Sequence, residues 1–269
     1  MQQTATKPAN FLYEELDGVA RITFNRPDRL NSLTFEIYAE LRDTFVALNR
    51  QDQIRAVILS GEGRGFCSGG DVEEIIGRLL SRGAEGMVEF TRMTGELTRA
   101  ICELRKPVIA ALNGVTAGAG AAIALASDFR LAAEGVKIHF LFNRVGLAGA
   151  DMGVGWLLPR LVGTARALEM LYLGEPVTAA KAEQIGLVNK VVKPEALQSE
   201  ALALAQKLAA GPTFALGMTK VQLYNEWDQA LPAAIEAEAQ AQALCMLTAD
   251  FQEGYRAFKE KRAPHFHGK

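Results

Sequence analysis

The chain has 269 residues, 49% of them apolar and 22% charged, with a formal net charge of −2. That supplies enough apolar material for one large domain, or a domain with an appendage, and its near-neutral balance argues against a surface built to bind a polyanion such as nucleic acid. Three cysteines (Cys67, Cys102 and Cys245) fall in no CxxC or Cys/His pattern, so neither a disulfide framework nor a metal site is expected, and a reducing, cytoplasmic setting is the natural reading. The start, MQQTATKPANF, has no apolar core segment of the kind a signal peptide needs. The most apolar stretches are interrupted by glycines, Asn113, Asp128 and charges, so no membrane span is expected.

Residues 1–10 read as a polar leader. From Phe11 the pattern alternates up to Asp17-Gly18 and resumes over Val19 to Phe24, which predicts a hairpin with a tight DG turn. Thr34 is placed to cap a helix over Phe35 to Asn49, with Ile37, Leu41, Phe45 and Leu48 at helical spacing. A buried strand is expected at Ala56 to Ser60, a loop at Gly61 to Gly65, and a turn of small residues at Phe66 to Asp71. The segment Val72 to Glu85 has no clear period, and a helix should run from about Gly86 to Leu104. Next comes the stretch around which the chain is organised, IAALNGVTAGAGAAIALASDF. An apolar run from Pro107 to Leu112 stops at Asn113-Gly114, small residues follow at Gly118, Ala119 and Gly120, and a helix-forming run continues from Ala121. Amides at the start of such a helix lack partners, and small side chains let a ligand reach them.

Beyond it, strands are expected at Phe129 to Leu131, Lys137 to Leu141 and Leu187 to Val191. Helices are expected at Asp151 to Val162, Ala165 to Leu173, Ala179 to Ile185 and Pro194 to Ala210, then at Pro212 to Asn225, Leu231 to Leu247 and Asp250 to Arg262. Strands alternating with helices predict an α/β core, while the closing helices have no strand to cover. This divides the chain into a core, residues 11–210, and a helical region, residues 211–269, suited to packing on a neighbouring subunit.

The residues Asn25-Arg26-Pro27 with Leu30-Asn31-Ser32-Leu33, then AVILSGEGRGFCSGGD, KPVIAALNGVTAGAG, ARALEMLYLGEPVTAAKAEQIGLVNKVV and EGYRAFKEKRAPHF, resemble the crotonase (enoyl-CoA hydratase/isomerase) superfamily. The likeness spans about Phe11 to Phe266. It implies a ββα spiral core with a helical C-terminal trimerisation region, and a homotrimer or dimer of trimers acting on acyl-CoA thioesters. No cofactor is implied beyond the coenzyme A of the substrate. By position the resemblance assigns two oxyanion-hole amides to Gly70 and Ala119. Either glycine-rich segment taken alone could be a mere tight turn. A preorganised oxyanion donor is worth roughly 3–4 kcal/mol of barrier. Arg29, Leu30 and Ser68 match positions around the nucleotide and pantetheine, and Asp71, Val72 and Gly118 fall in the substrate-binding stretches. Phe251 and Lys259 resemble residues that reach a neighbour's CoA.

The resemblance also places two glutamates in hydratases, and here those positions hold Ala122 and Phe142, which move no proton. The acid present is Asp151, which matches the acidic position of enoyl-CoA and dienoyl-CoA isomerases in the family. An aspartate at much the same place is a nucleophile in family members that dehalogenate aromatic acyl-CoAs. A base among Leu147, Ala148, Met152 and Trp156 should have a raised pKa. The expected reaction is therefore a double-bond shift through Asp151, with hydration, hydrolysis or dehalogenation of an aromatic or cyclic acyl-CoA, or non-catalytic acyl-CoA binding, as the alternatives. Asp151 could instead only cap the following helix. Glu74 is a weaker acid candidate, His139 is expected in the core or at the rim, and His265 and His267 on the surface.

Overall fold

The structure is a computed structural model that describes residues 8–269; the expected leader at residues 1–7 lies outside the described residues. Two sheets carry the fold. The larger has the strands β1 (Phe11–Leu16), β2 (Val19–Phe24), β3 (Ala56–Gly61), β5 (Val108–Leu112), β7 (Phe129–Ala133) and β10 (Lys190–Val192), in the order β1-β2-β3-β5-β7-β10. The smaller has β4 (Gly65–Cys67), β6 (Val115–Ala117), β8 (Lys137–His139) and β9 (Val177–Thr178), in that order. From β3 to β8 each turn of the chain gives one strand to the first sheet and the next strand to the second. Within each sheet these strands pair in parallel. This is the ββα spiral that the resemblance implies.

The first hairpin forms as its sequence dictates. Asp17 and Gly18 both take positive φ, +49° and +78°, as the tight turn requires. In α1 (Phe35–Leu48) the Thr34 hydroxyl accepts from the Ile37 N–H, and Ile37, Leu41, Phe45 and Leu48 are buried. The helices α2 (Ala84–Glu103), α4 (Val154–Val162), α5 (Thr164–Leu173), α6 (Ala179–Gln184) and α7 (Leu197–Ala209) follow the expected pattern with shifted ends.

The central helix α3 (Ala119–Ala126) is buried at every residue. Its small side chains are what permit that burial. A Cβ on Gly120 would stand 2.2 Å from the Cys67 carbonyl oxygen, so the helix lies directly against β4. The α3 C-terminus meets a buried cation: Arg130 is 5% exposed and donates to the carbonyls of Ser127, Ala124, Leu125 and, from elsewhere, Leu187.

The structure departs from the sequence reading where elements are short. Strands β6 and β9 replace what read as turn and loop, and β10 begins three residues later than the expected Leu187. Residues Val72–Gly77 form a π-helical turn, and Phe142–Val145 a 3-10 turn. Helix α4 starts at Val154, not at Asp151, because Met152 and Gly153 both take positive φ (+48° and +75°). The helices α8 (Thr213–Glu226), α9 (Leu231–Met246) and α10 (Ala249–Glu260) end the chain. No described helix is long and apolar enough to cross a membrane.

Candidate active site

Gly70 is held by its neighbours on both sides. Leu33 N donates to the Gly69 carbonyl at 2.8 Å, and Asp71 N donates to the Leu33 carbonyl at 2.9 Å. The bridge between Leu33 and Gly70 thus occupies the peptide groups flanking Gly70, and its own N–H points to the opposite side. Ala119 opens α3, so its N–H belongs to the first turn and has no intrahelical acceptor. Before it, Gly118 takes φ +51°, ψ −120°, a conformation open to glycine, and donates its N–H to the His139 carbonyl at 3.0 Å.

The two turns touch. A Cβ on Gly69 (φ +105°) would lie 3.4 Å from Ala119 N, and one on Gly118 would lie 3.7 Å from Gly69 Cα. Two small-residue turns, distant in sequence, are therefore packed backbone to backbone, with an unpaired first-turn amide on one and an outward N–H on the other. Such a pair can hold an oxygen that gains negative charge.

Asp71 fixes this arrangement from inside. Its carboxylate accepts from the Ser32 hydroxyl at 2.9 Å and from Glu73 N and Glu74 N at 3.1 and 3.2 Å, and it meets Arg26 Nη2 at 3.3 Å. Burial pushes its pKa up, but these donors and the Arg26 charge outweigh burial and hold it below the ordinary carboxylate value. Its side chain is committed to the protein. Glu74 is engaged too, with Arg26 at 3.3 Å and Arg78 at 4.0 Å.

Asp151 sits on the strained turn before α4. Its Oδ1 accepts from Met152 N at 2.8 Å, and its carbonyl accepts from Val154 N at 2.9 Å. The Thr98 hydroxyl on α2 anchors the turn by donating to the Met152 carbonyl at 3.0 Å. Burial raises the Asp151 pKa, and the Met152 N–H offsets part of that rise. Its side chain caps one amide of the turn, while the α4 N-cap is Gly153.

Tyr38 borders Gly70, and the sequence did not single it out. It stands on α1 at 2% exposure, with its ring edge-on to Phe90. Its Oη would be 3.6 Å from a Cβ on Gly70. Burial raises the phenol pKa well above its ordinary value, and the Asp151 charge adds to that rise. The one signal available was a hydroxyl bordering an otherwise apolar helix face.

The remaining expected residues fall in several places. Ser68 and Leu30 are adjacent: Ser68 N donates to the Leu30 carbonyl at 3.0 Å, and Leu30 takes φ +49°. The Ser68 hydroxyl reaches the Arg29 carbonyl at 3.3 Å, while the exposed Arg29 guanidinium pairs with Glu73 at 3.5 Å. Val72 is 70% exposed at the lip. Ala122 and Phe142 are buried, and His139 is half-buried with its pKa lowered by burial and by Arg144 and Lys137. Phe251 and Lys259 lie on α10, which packs on α9. Cys67, sealed beneath the site, has its thiol pushed up to about 12 by burial, so it remains an unreactive thiol. A groove of about 920 Å³ lies beyond the Asp151 turn, lined by Thr98, Cys102, Gly153, Trp156 and Tyr224; Gly70, Ala119 and Asp151 do not line it.

Comparison with known proteins gives one consistent result. Residues 14–269 match the family model described as enoyl-CoA hydratase/isomerase. The 1,2-epoxyphenylacetyl-CoA isomerase of Escherichia coli K12 is 39% identical, the match covering 94% of this chain and 96% of that protein. The crotonyl-CoA hydratase of Syntrophomonas wolfei is 35% identical, over 96% and 97%. A crystal structure from Streptomyces coelicolor A3(2), of a protein provisionally named an enoyl-CoA hydratase, overlays with TM-score 0.95 and 48% identity over all of both chains.

Proposed function

Given that the chain belongs to the enoyl-CoA hydratase/isomerase family, and so acts on acyl-CoA thioesters, we propose that it shifts a carbon–carbon double bond by proton transfer through Asp151. The thioester oxygen of a 3-enoyl-CoA accepts from Gly70 N–H and Ala119 N–H. The Asp151 carboxylate takes a proton from C2, and the electron pair moves onto the thioester oxygen as a dienolate. The same carboxyl group, now protonated, returns the proton at C4, which leaves the double bond between C2 and C3. Acid–base assistance of this kind contributes about 10²–10⁴-fold.

The observation that carries this reading is the character of position 151. It holds a half-buried carboxylate whose pKa burial raises, on a turn anchored by Thr98, at the position the family resemblance gives to the isomerase acid. A carboxylate with a raised pKa is a stronger base toward carbon than an ordinary one. The buried Ala122 and Phe142 supply no second acid. Hydration is the second reading, favoured by relatives that are named hydratases. An aromatic or cyclic acyl group is compatible with the relative named for an epoxyphenylacetyl thioester.

Incubation with a 3-enoyl-CoA in D2O, for wild type and Asp151→Asn, separates these readings. Deuterium entering C2 or C4 only when Asp151 is present supports the double-bond shift. Oxygen-18 passing from water into a 3-hydroxyacyl product would establish hydration and sink the isomerase reading. Equal behaviour of both proteins on every thioester tried would leave a binding protein. The CoA moiety is assigned to Arg29, Leu30 and Ser68, with Val72 and Gly118 beside the acyl chain and Asp71 acting by holding Gly70 in place. Assembly as a homotrimer or dimer of trimers completes the proposal, with α10, Phe251 and Lys259 included, facing a neighbouring subunit.

A further inference from the structure

The motif Asn25-Arg26-Pro27 precedes the segment assigned to coenzyme A and has no part in the double-bond shift. Its arginine holds two loops at once. Arg26 Nη1 donates to the Ser32 carbonyl at 2.8 Å, and Arg26 Nη2 meets Asp71 Oδ2 and Glu74 Oε1, both at 3.3 Å. Ser32 closes the triangle by donating its hydroxyl to the same Asp71 oxygen at 2.9 Å. Ser32 and Asp71 stand next to the bridge between Leu33 and Gly70, one on each side of it. The guanidinium therefore crosslinks the two segments at the residues that flank the bridge.

The segment it braces is a strained one. Leu30 and Asn31 both take the left-handed conformation, at φ +49° and +59°, which a side chain disfavours. Asn31 Oδ1 accepts from Arg26 N at 2.8 Å, and its Nδ2 donates to the carbonyls of Glu62 and Gly65 at 2.9 and 2.7 Å. These bonds use only the backbone of Arg26 and hold the loop in shape; the guanidinium is what ties it to the Gly70 side. Burial opposes the Asp71 charge, but the Glu74 N–H, Ser32 and Arg26 keep its pKa below the ordinary carboxylate value, so the pair is ionic at neutral pH. A single ammonium lacks the planar fork that serves Ser32 from one nitrogen and the two carboxylates from the other.

We propose that Arg26 is a positioning residue for the oxyanion site: through Ser32 and Asp71 it sets the direction of the Gly70 N–H, without itself meeting the thioester. This rests on the assignment of the thioester oxygen to Gly70 and Ala119. Because Arg26 acts through other residues, its loss should spare binding of the coenzyme and weaken only the hold on the negatively charged oxygen.

The test is ultraviolet titration of the whole enzyme with acetoacetyl-CoA, whose C2 proton is acidic and whose enolate absorbs, beside calorimetric titration with coenzyme A alone. A working oxyanion site favours the bound enolate, the C2 proton passing to a basic group of the protein or buffer. Wild type is expected to show bound enolate at neutral pH. Arg26→Gln, which keeps the backbone bonds of the loop, should bind coenzyme A as wild type does. It should lower the ratio of bound enolate to bound keto form by about 10²-fold, the size of effect a small misplacement produces. Arg26→Lys should recover part of that ratio, and it serves if Arg26→Gln misfolds, since it too should fall below wild type. Adding Asp71→Asn to Arg26→Gln should cost nothing beyond the larger single loss, because both act through one pair. An unchanged ratio in the Arg26 variants, an equal loss of coenzyme A affinity, or losses that multiply in the double variant overturns the inference. A wild type without bound enolate overturns the oxyanion assignment and this inference with it. The double-bond shift fails separately, by loss of Asp151-dependent deuterium exchange.

Discussion

At position 151 the fold holds a carboxylate where burial disfavours its charge. The folded-state pKa lies above the unfolded one, so the stabilisation linked to this group is fully present below the unfolded value and is lost as pH rises through the folded value. Asn keeps the Oδ1 that accepts from Met152 N and removes the charge. Asp151→Asn should therefore melt higher than wild type at pH 7, by an amount that vanishes near pH 3, while its turnover falls by about 10²–10⁴-fold. Parallel melting curves across pH would check it; equal melting points at pH 7 would mean that the site imposes no strain on the charged acid. The sequence showed that an acid stands at 151. It could not show that Met152 and Gly153 both take positive φ, because that conformation is imposed by packing of the turn against Thr98 rather than by the residues' own preference.

At the scale of elements, α3 shows how a glycine positions a donor on the residue before it. Adding a methyl at Gly120 would bring it to 2.2 Å from the Cys67 carbonyl oxygen and 2.8 Å from the Cys67 Cβ, both in a buried strand that cannot yield. Gly120→Ala should lower stability by about 1–3 kcal/mol, read by chemical denaturation. It should also lower kcat more than it raises KM, since the shift displaces the Ala119 amide used in the transition state. A variant with wild-type stability and kcat would show that α3 can slide without consequence. Long elements were readable in the sequence because their apolar period repeats several times, as over α1 and α2. Three-residue strands such as β6 contain no period to read, and they form because the neighbouring strands β4 and β8 offer hydrogen-bond edges.

Across the whole molecule, the C-terminal helices are joined to the core by a buried ion pair. Lys220 on α8 donates to Asp128 Oδ2 at 2.9 Å and to the Ile101 carbonyl at 3.0 Å, while the Val108 N–H reaches the same Asp128 oxygen. Burial raises the Asp128 pKa, and Lys220 opposes that rise. Lys220→Met would leave the carboxylate unpaired and should destabilise the protein by about 3–5 kcal/mol. That loss should shrink at acid pH, where Asp128 can take up a proton. Beyond this joint, α9, α10 and the turn between them expose Leu231, Leu247, Phe251 and Phe258 at 71%, 80%, 53% and 84%. Apolar side chains so exposed on consecutive helices fit burial against other copies of the chain. Light scattering should give three or six times the monomer mass; a monomer at micromolar concentration would refute the proposed assembly.

The sequence by itself determined an alternating α/β core and an acid at 151, since these are matters of residue type and spacing along the chain. Through the resemblance of its ordered motifs to the crotonase superfamily it also implied the ββα spiral and the lack of the paired glutamates. Only the tertiary structure decided that Gly69 packs on Gly118 and Ala119, that Asp71 is spent on Ser32 and Arg26, and that Tyr38 reaches Gly70. Each joins residues from different turns of the spiral, where sheet pairing and side-chain volume set the distance and separation in sequence carries no information.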